Sequence, residues 1–443
     1  MKVLSVVRRV TVELMALLIG SIVVLGGINV PASGATTPGQ YQVVGNEVVG
    51  PNGQQFVPYG FVVYCLAKPS ATCGTTTAMS DSDKIQAAAT YWHADVVRIQ
   101  VAAENLLTDG VVNPVVMQEL SNEVQLANND GMVAIITDQE EYFGGAHLPT
   151  ASAIGFWNAI AAQFSGDPRV FFDLYNEPNL TGATVAGGKG AWGLWRNGGS
   201  DTVDGLPCQF VGMQTILDDI RGDGAQNVVI AEGLAGDKSL AGIPQFALSG
   251  INVAYGMEPD LTAQDETPSQ WAANWGTLSA SVPVIMEAFQ DWPGAGTCNV
   301  DSPVLLPELL SYLRSLHLGL IVWALDPGVL VVGKDLAAPT TYQGSTTQVC
   351  WAPGTGGSAL AANTNGPGQL VQSFFLANSL AASVNGPGLI TEASVHHGGR
   401  RPSERFTHQT LVEAMSAGWV FLANGQIRWR TAAGAGKTLV MGR

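Results

Sequence analysis

Val170-Phe171-Phe172-Asp173-Leu174-Tyr175-Asn176-Glu177-Pro178-Asn179 is the stretch around which the rest of the chain is read. An apolar run of strand length, 170–174, stops at Asn176-Glu177, and Pro178 closes the strand because it has no N–H to give a central ladder. Asn176 and Glu177 therefore stand at a strand's C-terminal end. A second run, Val284-Ile285-Met286, ends the same way at Glu287, followed by Ala288-Phe289. In an α/β barrel, active sites are built at that end of the strands.

Working outward, apolar runs of strand length alternate with segments of helical character. The strand-like runs are 57–63, 96–101, 132–137, 170–174, 228–231, 253–255, 284–286 and 320–324. The helical segments are 81–91, 114–129, 151–164, 211–222, 239–248, 268–278, 304–316 and 368–382. Near-continuous apolar strands are buried on both faces, as parallel strands covered by helices are. Eight such units predict an α/β fold, a closed (β/α)8 TIM barrel, in one catalytic domain. No Gly-x-Gly-x-x-Gly follows the first strand, which argues against an open dinucleotide-binding sheet. Upstream, residues 41–49 and 54–57 around Pro51-Asn52-Gly53 read as a hairpin closing the barrel's bottom. Ser80-Asp81-Ser82-Asp83 offers N-caps, and Pro114 and Pro268 suit first helical turns. Long insertions at 181–207, 290–303 and 326–367 follow strands and would wall a cleft at the barrel's C-terminal face.

The domain plan has three parts. Residues 1–35 read as a signal segment, with Lys2, Arg8 and Arg9 before an apolar run at 14–30 and small residues Ser33-Gly34-Ala35 after it. That reading makes the protein secreted or held in the cell envelope. The run also approaches the length of a spanning helix, so an uncleaved membrane tether is the competing reading. The barrel then occupies 36–382. Residues 383–443 form a basic tail, with Arg400, Arg401, Arg405, Arg428 and Arg430 among its charges, for which disorder is the default expectation.

Across 443 residues the formal charge is -16, from 20 Lys and Arg against 36 Asp and Glu. That balance excludes nucleic acid as a partner, since no cluster of cations is present to neutralise phosphates. Nothing points to an obligate protein partner. Five cysteines in an exported chain make disulfides plausible: Cys65 with Cys73, Cys298 with Cys350, and Cys208 left over. Sequence alone does not fix that pairing. The six His are scattered, so no metal site and no cofactor is expected.

Two carboxylates ending different strands suit glycoside hydrolysis, which needs a proton for the leaving oxygen and a nucleophile or activated water opposite. Glu177 is the candidate acid/base and Glu287 the candidate nucleophile. Arg98, in the apolar run Val96-Val97-Arg98-Ile99, must be paired if buried, and a carboxylate at the barrel mouth is its natural partner. Trp323, in Ile321-Val322-Trp323, suits a platform for the apolar face of a sugar, with a core Trp as the ordinary alternative. Trp292, Trp192 and Trp195 are weaker candidates for further subsites.

These residues resemble glycoside hydrolase family 5, the cellulase-like family of barrel glycosidases, over roughly 41–382. The resemblance implies a carbohydrate substrate and hydrolysis with retained configuration, the two carboxyl groups standing about 5 to 5.5 Å apart. It further implies that Asn176 bonds the sugar 2-hydroxyl, that Arg98 holds the nucleophile and that Trp323 lies at the cleavage point. It is broken in two places. Where the family carries a His after strand three, this chain has Thr137-Asp138-Gln139-Glu140-Glu141. Where it carries a His and a Tyr after strand six, Tyr255-Gly256-Met257-Glu258-Pro259-Asp260 puts Glu258 and Asp260. Tyr255 and Glu258 join the candidate substrate contacts. The expected function is an exported retaining β-glycanase of endo-glucanase or mannanase type. The alternative is a glycan-binding or weakly active barrel protein of the cell envelope.

Overall fold

The computed structural model describes residues 39–67, 79–139, 146–180, 189–203, 206–259, 261, 267–289, 302–327, 329–341 and 366–385, with strands at 419–422, 426–429 and 438–440. Expectations that fall on the signal segment, Trp292, Asp260, Cys73, Cys298 and Cys350 lie outside the described residues. Cys208 is a free thiol. Among the described residues no helix is long and apolar enough to cross a membrane.

The chain divides into two compact units, residues 1–370 and 371–443. In the first, eight parallel strands form one sheet: β1 Tyr59–Val63, β2 Val96–Val101, β3 Val133–Asp138, β4 Val170–Asp173, β5 Val229–Glu232, β6 Val253–Met257, β7 Val284–Met286 and β8 Leu320–Val322. Seven parallel pairings run from β8 through β1 to β7 in chain order. A parallel bridge between Phe289 and Val322 joins the two ends, with Phe289 N–H on the Ile321 carbonyl at 2.9 Å and Trp323 N–H on the Phe289 carbonyl at 2.8 Å. The sheet is thereby a closed (β/α)8 barrel, as the alternation of runs implies.

Side chains alternate along each strand, so one parity fills the barrel and the other meets the helices. Val62, Val96, Val133, Ile135, Phe171, Ile230, Ala254, Ile285 and Ile321 form the interior cluster, all nearly or wholly buried. The N-terminal hairpin plugs its bottom. Val48, Tyr41, Val43 and Phe56 pack on this cluster, and Tyr41 meets Phe171 edge-on at 5.3 Å. Truncating Phe171 to Ala would cost about 3–5 kcal/mol, as for other core aromatics.

The outer helices include α1 Asp81–Trp92, α2 Pro114–Asn129, α3 Ala151–Phe164, α4 Lys189–Asn197, α5 Met213–Gly222 and α6 Ser302–Ser315. Ser80 caps α1 by accepting from the Asp83 N–H, and Pro114 opens α2.

The structure corrects three local expectations. The hairpin pairs Gln42–Val44 with Glu47–Val49 around Gly45, whose φ is 65°, so its turn is not at Pro51-Asn52-Gly53. The latter turn supports only a single bridge, Val49 with Gln55. The helix expected at 239–248 is two single turns, Leu234–Asp237 and Ile243–Phe246. Positive φ at Ala235, Gly236 and Asp237 breaks the first, and Pro244 confines the second. The helix expected at 268–278 is one α-turn, Pro268–Trp271, running into a π-turn, Ala272–Gly276.

The helix expected after β8 spans Gly368–Asn385, and the division between the two units falls within it. In the second unit Trp419–Leu422, Gln426–Trp429 and Thr438–Val440 form a three-stranded antiparallel sheet.

Candidate active site

The interior parity that is apolar in mid-barrel turns polar at the strands' C-terminal ends. Above the Val/Ile layer stand Arg98 and Gln100 from β2, Thr137 from β3, Asp173 from β4, Glu232 from β5, Gly256 from β6, and Glu258, Glu287 and Trp323 just past β6, β7 and β8. Gly256 is a packing requirement here. A Cβ on it would lie 2.0 Å from Oε2 of Glu287 and 2.8 Å from Cγ of Glu232. The missing side chain makes the room in which two carboxylates from β5 and β7 approach.

Arg98, fully buried, is the hub. Its Nη2 donates to Asp173 Oδ2 at 2.7 Å, to Asn176 Oδ1 at 2.9 Å and to Glu232 Oε1 in a tight ion pair. Glu258 stands 3.6 Å from Nη1 and Glu287 3.8 Å from Nε. The cation therefore grips Asp173 and Glu232 most closely and pairs with Glu287 at longer range. Burial opposes the Arg98 charge, but Glu232, Asp173, Glu287 and Glu258 together outweigh it and hold its pKa well above normal.

Asn176 is fixed from two sides, because Gln100 Nε2 donates to the same Oδ1 at 2.9 Å. With its oxygen taken twice, the Asn176 amide keeps its N–H groups for other acceptors. The main chain there is braced by Asn176 N–H on Asp138 O at 2.9 Å and by Trp157 Nε1 on Leu174 O at 3.1 Å. Glu177 follows in a left-handed conformation, φ 49°, partly exposed, and its N–H donates to Glu232 Oε2 at 2.5 Å. Glu287, in contrast, is wholly buried, and neither of its oxygens has a hydrogen-bond partner among the described residues.

Five carboxylates in this cluster have raised pKa values. For Glu287 the causes are burial first, then Asp173, against the pull of Arg98. For Glu232 they are burial, then Asp173 and Asp237. Glu258 is raised by burial and by Glu177, against Lys238 at 3.8 Å and Arg98. Asp173 and Asp237 are raised by burial too. One guanidinium and one partly buried ammonium cannot balance so many buried anions, so the cluster retains protons. Two groupings, Asp173 with Glu232 and Glu287, and Glu232 with Asp237 and Glu258, bring oxygens within 4.8 Å of one another, close enough to share a cation. Arg98 already lies against members of both.

Trp323 is partly exposed at the end of β8 and stacks on Tyr64, ring centres 5.5 Å apart and 25° from parallel. Tyr64 OH donates to Asp326 Oδ2 at 2.5 Å, and Lys84 holds Asp326 at 2.8 Å while lying over the Tyr64 ring. The platform is thus a stacked pair rather than a lone indole.

Not every expected residue enters the site. Tyr255 has the outward parity of β6: it is buried toward the outer layer, and its hydroxyl accepts from Leu248 N–H at 3.0 Å. Its expected role as a substrate contact is corrected to a strut between β6 and the segment before it. Trp195 is wholly buried, with Nε1 on the Glu232 carbonyl at 2.8 Å, and Trp192 packs edge-on against it, so both pin the β5 end and neither lines a subsite. Sequence reasoning missed Asp173, Glu232, Gln100 and Tyr64. Glu232 carried a usable signal, since it ends the apolar run 228–231 as Glu177 and Glu287 end theirs.

An eight-stranded parallel barrel with paired glutamates past β4 and β7 defines a barrel glycosidase. The chain matches the family described as cellulase, glycosyl hydrolase family 5, over residues 63–328, and it belongs to that family. It is a glycoside hydrolase acting on O-glycosyl bonds. Among solved structures it is similar to a β-glucanase of Saccharophagus degradans, with 17% identity and a TM-score of 0.55, covering 77% of this chain and 94% of that one. The same β-glucanase has been solved with cellotetraose, where the match covers 80% and 99%. The catalytic domain of an endoglucanase of Thermobifida fusca matches with 16% identity and a TM-score of 0.51, covering 76% and 97%. At these identities the likeness is one of fold. No curated protein sequence matches the chain.

Proposed function

We propose that the chain is an exported β-glycanase, of endo-glucanase or mannanase type, that retains anomeric configuration. The observation that carries this reading is the contrast between its two glutamates. Glu177, partly exposed past β4, can exchange protons with leaving group and water, while Glu287, wholly buried past β7, is shielded from water with Arg98 Nε 3.8 Å away. In the first step the Glu287 carboxylate attacks the anomeric carbon as Glu177 protonates the departing oxygen. In the second, Glu177 takes a proton from water, which releases the sugar from Glu287. Asn176, its oxygen held by Arg98 and Gln100, offers N–H donors to a sugar hydroxyl next to the reacting carbon. The stacked Trp323 and Tyr64 suit the apolar face of a pyranose ring.

A β-glucan substrate is supported by the glucanases among the similar structures. Export rests on the N-terminal segment 1–35, as does the tether that would replace cleavage. A weakly active glycan binder is the second reading, favoured by the retained protons around Glu287.

The test is covalent trapping with activated 2-fluoro-glucosides and 2-fluoro-mannosides of one and two sugar units, followed by intact and peptide masses. An adduct on Glu287 is expected. Folded protein that binds glycans in an array yet forms no adduct across the panel would replace the enzyme reading with the binding one.

A further inference from the structure

We infer that Glu232 is a positioning residue for the acid/base Glu177, gripping that residue's own backbone N–H with one oxygen while Arg98 holds the other. The inference rests on the proposed roles of Glu177 and Glu287 and adds a third carboxylate to them.

Glu232 ends β5, one strand away from Glu177, and is wholly buried. Its two oxygens are used differently. Oε1 receives Arg98 Nη2, and Oε2 receives the Glu177 N–H at 2.5 Å. The second contact falls where the main chain most needs it. Glu177 has φ 49°, a left-handed conformation that a non-glycine residue keeps only where its surroundings enforce it. That dihedral sets the direction in which the Glu177 side chain leaves the strand end. An acceptor bonded to the N–H of the same residue fixes the peptide plane and hence that direction.

The β5 end is itself held rigidly. Trp195 Nε1 donates to the Glu232 carbonyl at 2.8 Å, Gly233 N–H donates to Asp237 Oδ1 at 2.7 Å, and Gly236 N–H donates to Pro178 O at 3.0 Å, tying the β5 loop to the residue after Glu177. Both Glu232 oxygens thus accept hydrogen bonds, one from Arg98 and one from the Glu177 N–H.

The chemistry provides a test that a merely structural residue would fail. Glu232→Gln keeps the shape but turns one acceptor into a donor, so it can satisfy Arg98 or the Glu177 N–H but not both. Cleaving a sugar leaving group needs the Glu177 proton, whereas expelling 2,4-dinitrophenolate does not. The comparison is between soluble β-glucan and 2,4-dinitrophenyl β-cellobioside, or the matching mannan and mannoside if the wild type turns those over. Expected for Glu232→Gln is a fall of tenfold or more in kcat on the polymer with KM within twofold, beside a dinitrophenolate burst within twofold of wild type. Glu232→Asp, which keeps the charge but draws it back, is expected to fall between. Equal losses on both substrates, or none on either, would overturn the inference.

Amide exchange at Glu177, resolved by fragmentation mass spectrometry, reads the contact without any substrate. The Glu177 N–H should exchange at least tenfold faster in Glu232→Gln than in wild type, and equal rates would overturn the inference. A wild type inactive on every glycoside would instead sink the proposed function, and leave the hold of Glu232 on Glu177 to be decided by exchange alone.

Discussion

Gln100 Nε2 donates to Asn176 Oδ1 at 2.9 Å, and both residues lie buried beneath the cleft. The bond does nothing to a substrate itself. On the proposed mechanism it decides, with Arg98, which face of the Asn176 amide a sugar meets. Gln100→Leu should therefore lower kcat/KM by about 5–20-fold with little change in Tm, and Asn176→Ala by roughly 10²–10³, as when a charge-stabilising donor is removed. Kinetics of both single variants and the double variant check this. A double variant that loses the product of the single losses would show the two residues to be independent.

Gly256→Ala places a methyl 2.0 Å from Oε2 of Glu287. Because β6 is buried on both sides, Glu287 must yield. A displacement of about 1 Å at a reacting group costs on the order of 100-fold, so activity should fall by that much while far-UV circular dichroism is kept. Wild-type turnover in this variant would mean that Glu287 has room the packing does not show.

The raised carboxyl groups set the sign of the stability profile. Glu287, Glu232, Glu258, Asp173 and Asp237 all hold protons more tightly folded than unfolded. Asp95, partly buried at the foot of β2 with Oδ1 accepting from the Tyr59 N–H, is pushed up to about 7, chiefly by desolvation. A folded pKa above the unfolded one gives stability that is complete below about pH 4 and is lost as pH rises through the folded value. Tm should thus decline from pH 5 toward pH 8. Asp95→Asn should flatten the part of that decline between about pH 4 and 7, the span between its unfolded and folded values. A Tm that climbs toward neutral pH would contradict the buried-acid account.

Glu258 faces Arg98 and Lys238 from β6 and is raised by burial and by Glu177. Replacing it by His exchanges a buried acid for an imidazole beside Arg98, Lys238 and Glu177. Glu258→His should shift the pH optimum of kcat/KM or change kcat. An unchanged profile of rate against pH would leave the position without a part in the reaction.

Trp323 and Tyr64 act as one surface. Tyr64→Phe keeps the stack and loses only the bond to Asp326, so polymer KM should change little. Tyr64→Ala removes a ring contact worth about 0.5–1.5 kcal/mol and should raise KM up to about tenfold. Trp323→Ala should be worse than either, read as KM on polymer against KM on an aryl glycoside.

Much of this protein is written in one dimension. The runs 96–101 and 284–286 are strands with those bounds, and α2 and α3 begin and end where capping residues and periodicity put them. Glu177 and Glu287 could be named because each ends its own apolar run, and strand ends in a parallel barrel share one face. Local signals of this kind depend only on neighbours in sequence. The tertiary structure decided what depends on partners from other strands. Parity turned Tyr255 outward onto Leu248 and put Gly256 between Glu232 and Glu287. Closure of the sheet brought Arg98 most closely to Asp173 and Glu232, which lie 75 and 134 residues away in the chain, with Glu287 at longer range. A buried cation goes to whichever acids the packed strands deliver within hydrogen-bond reach, and sequence order does not specify which those are.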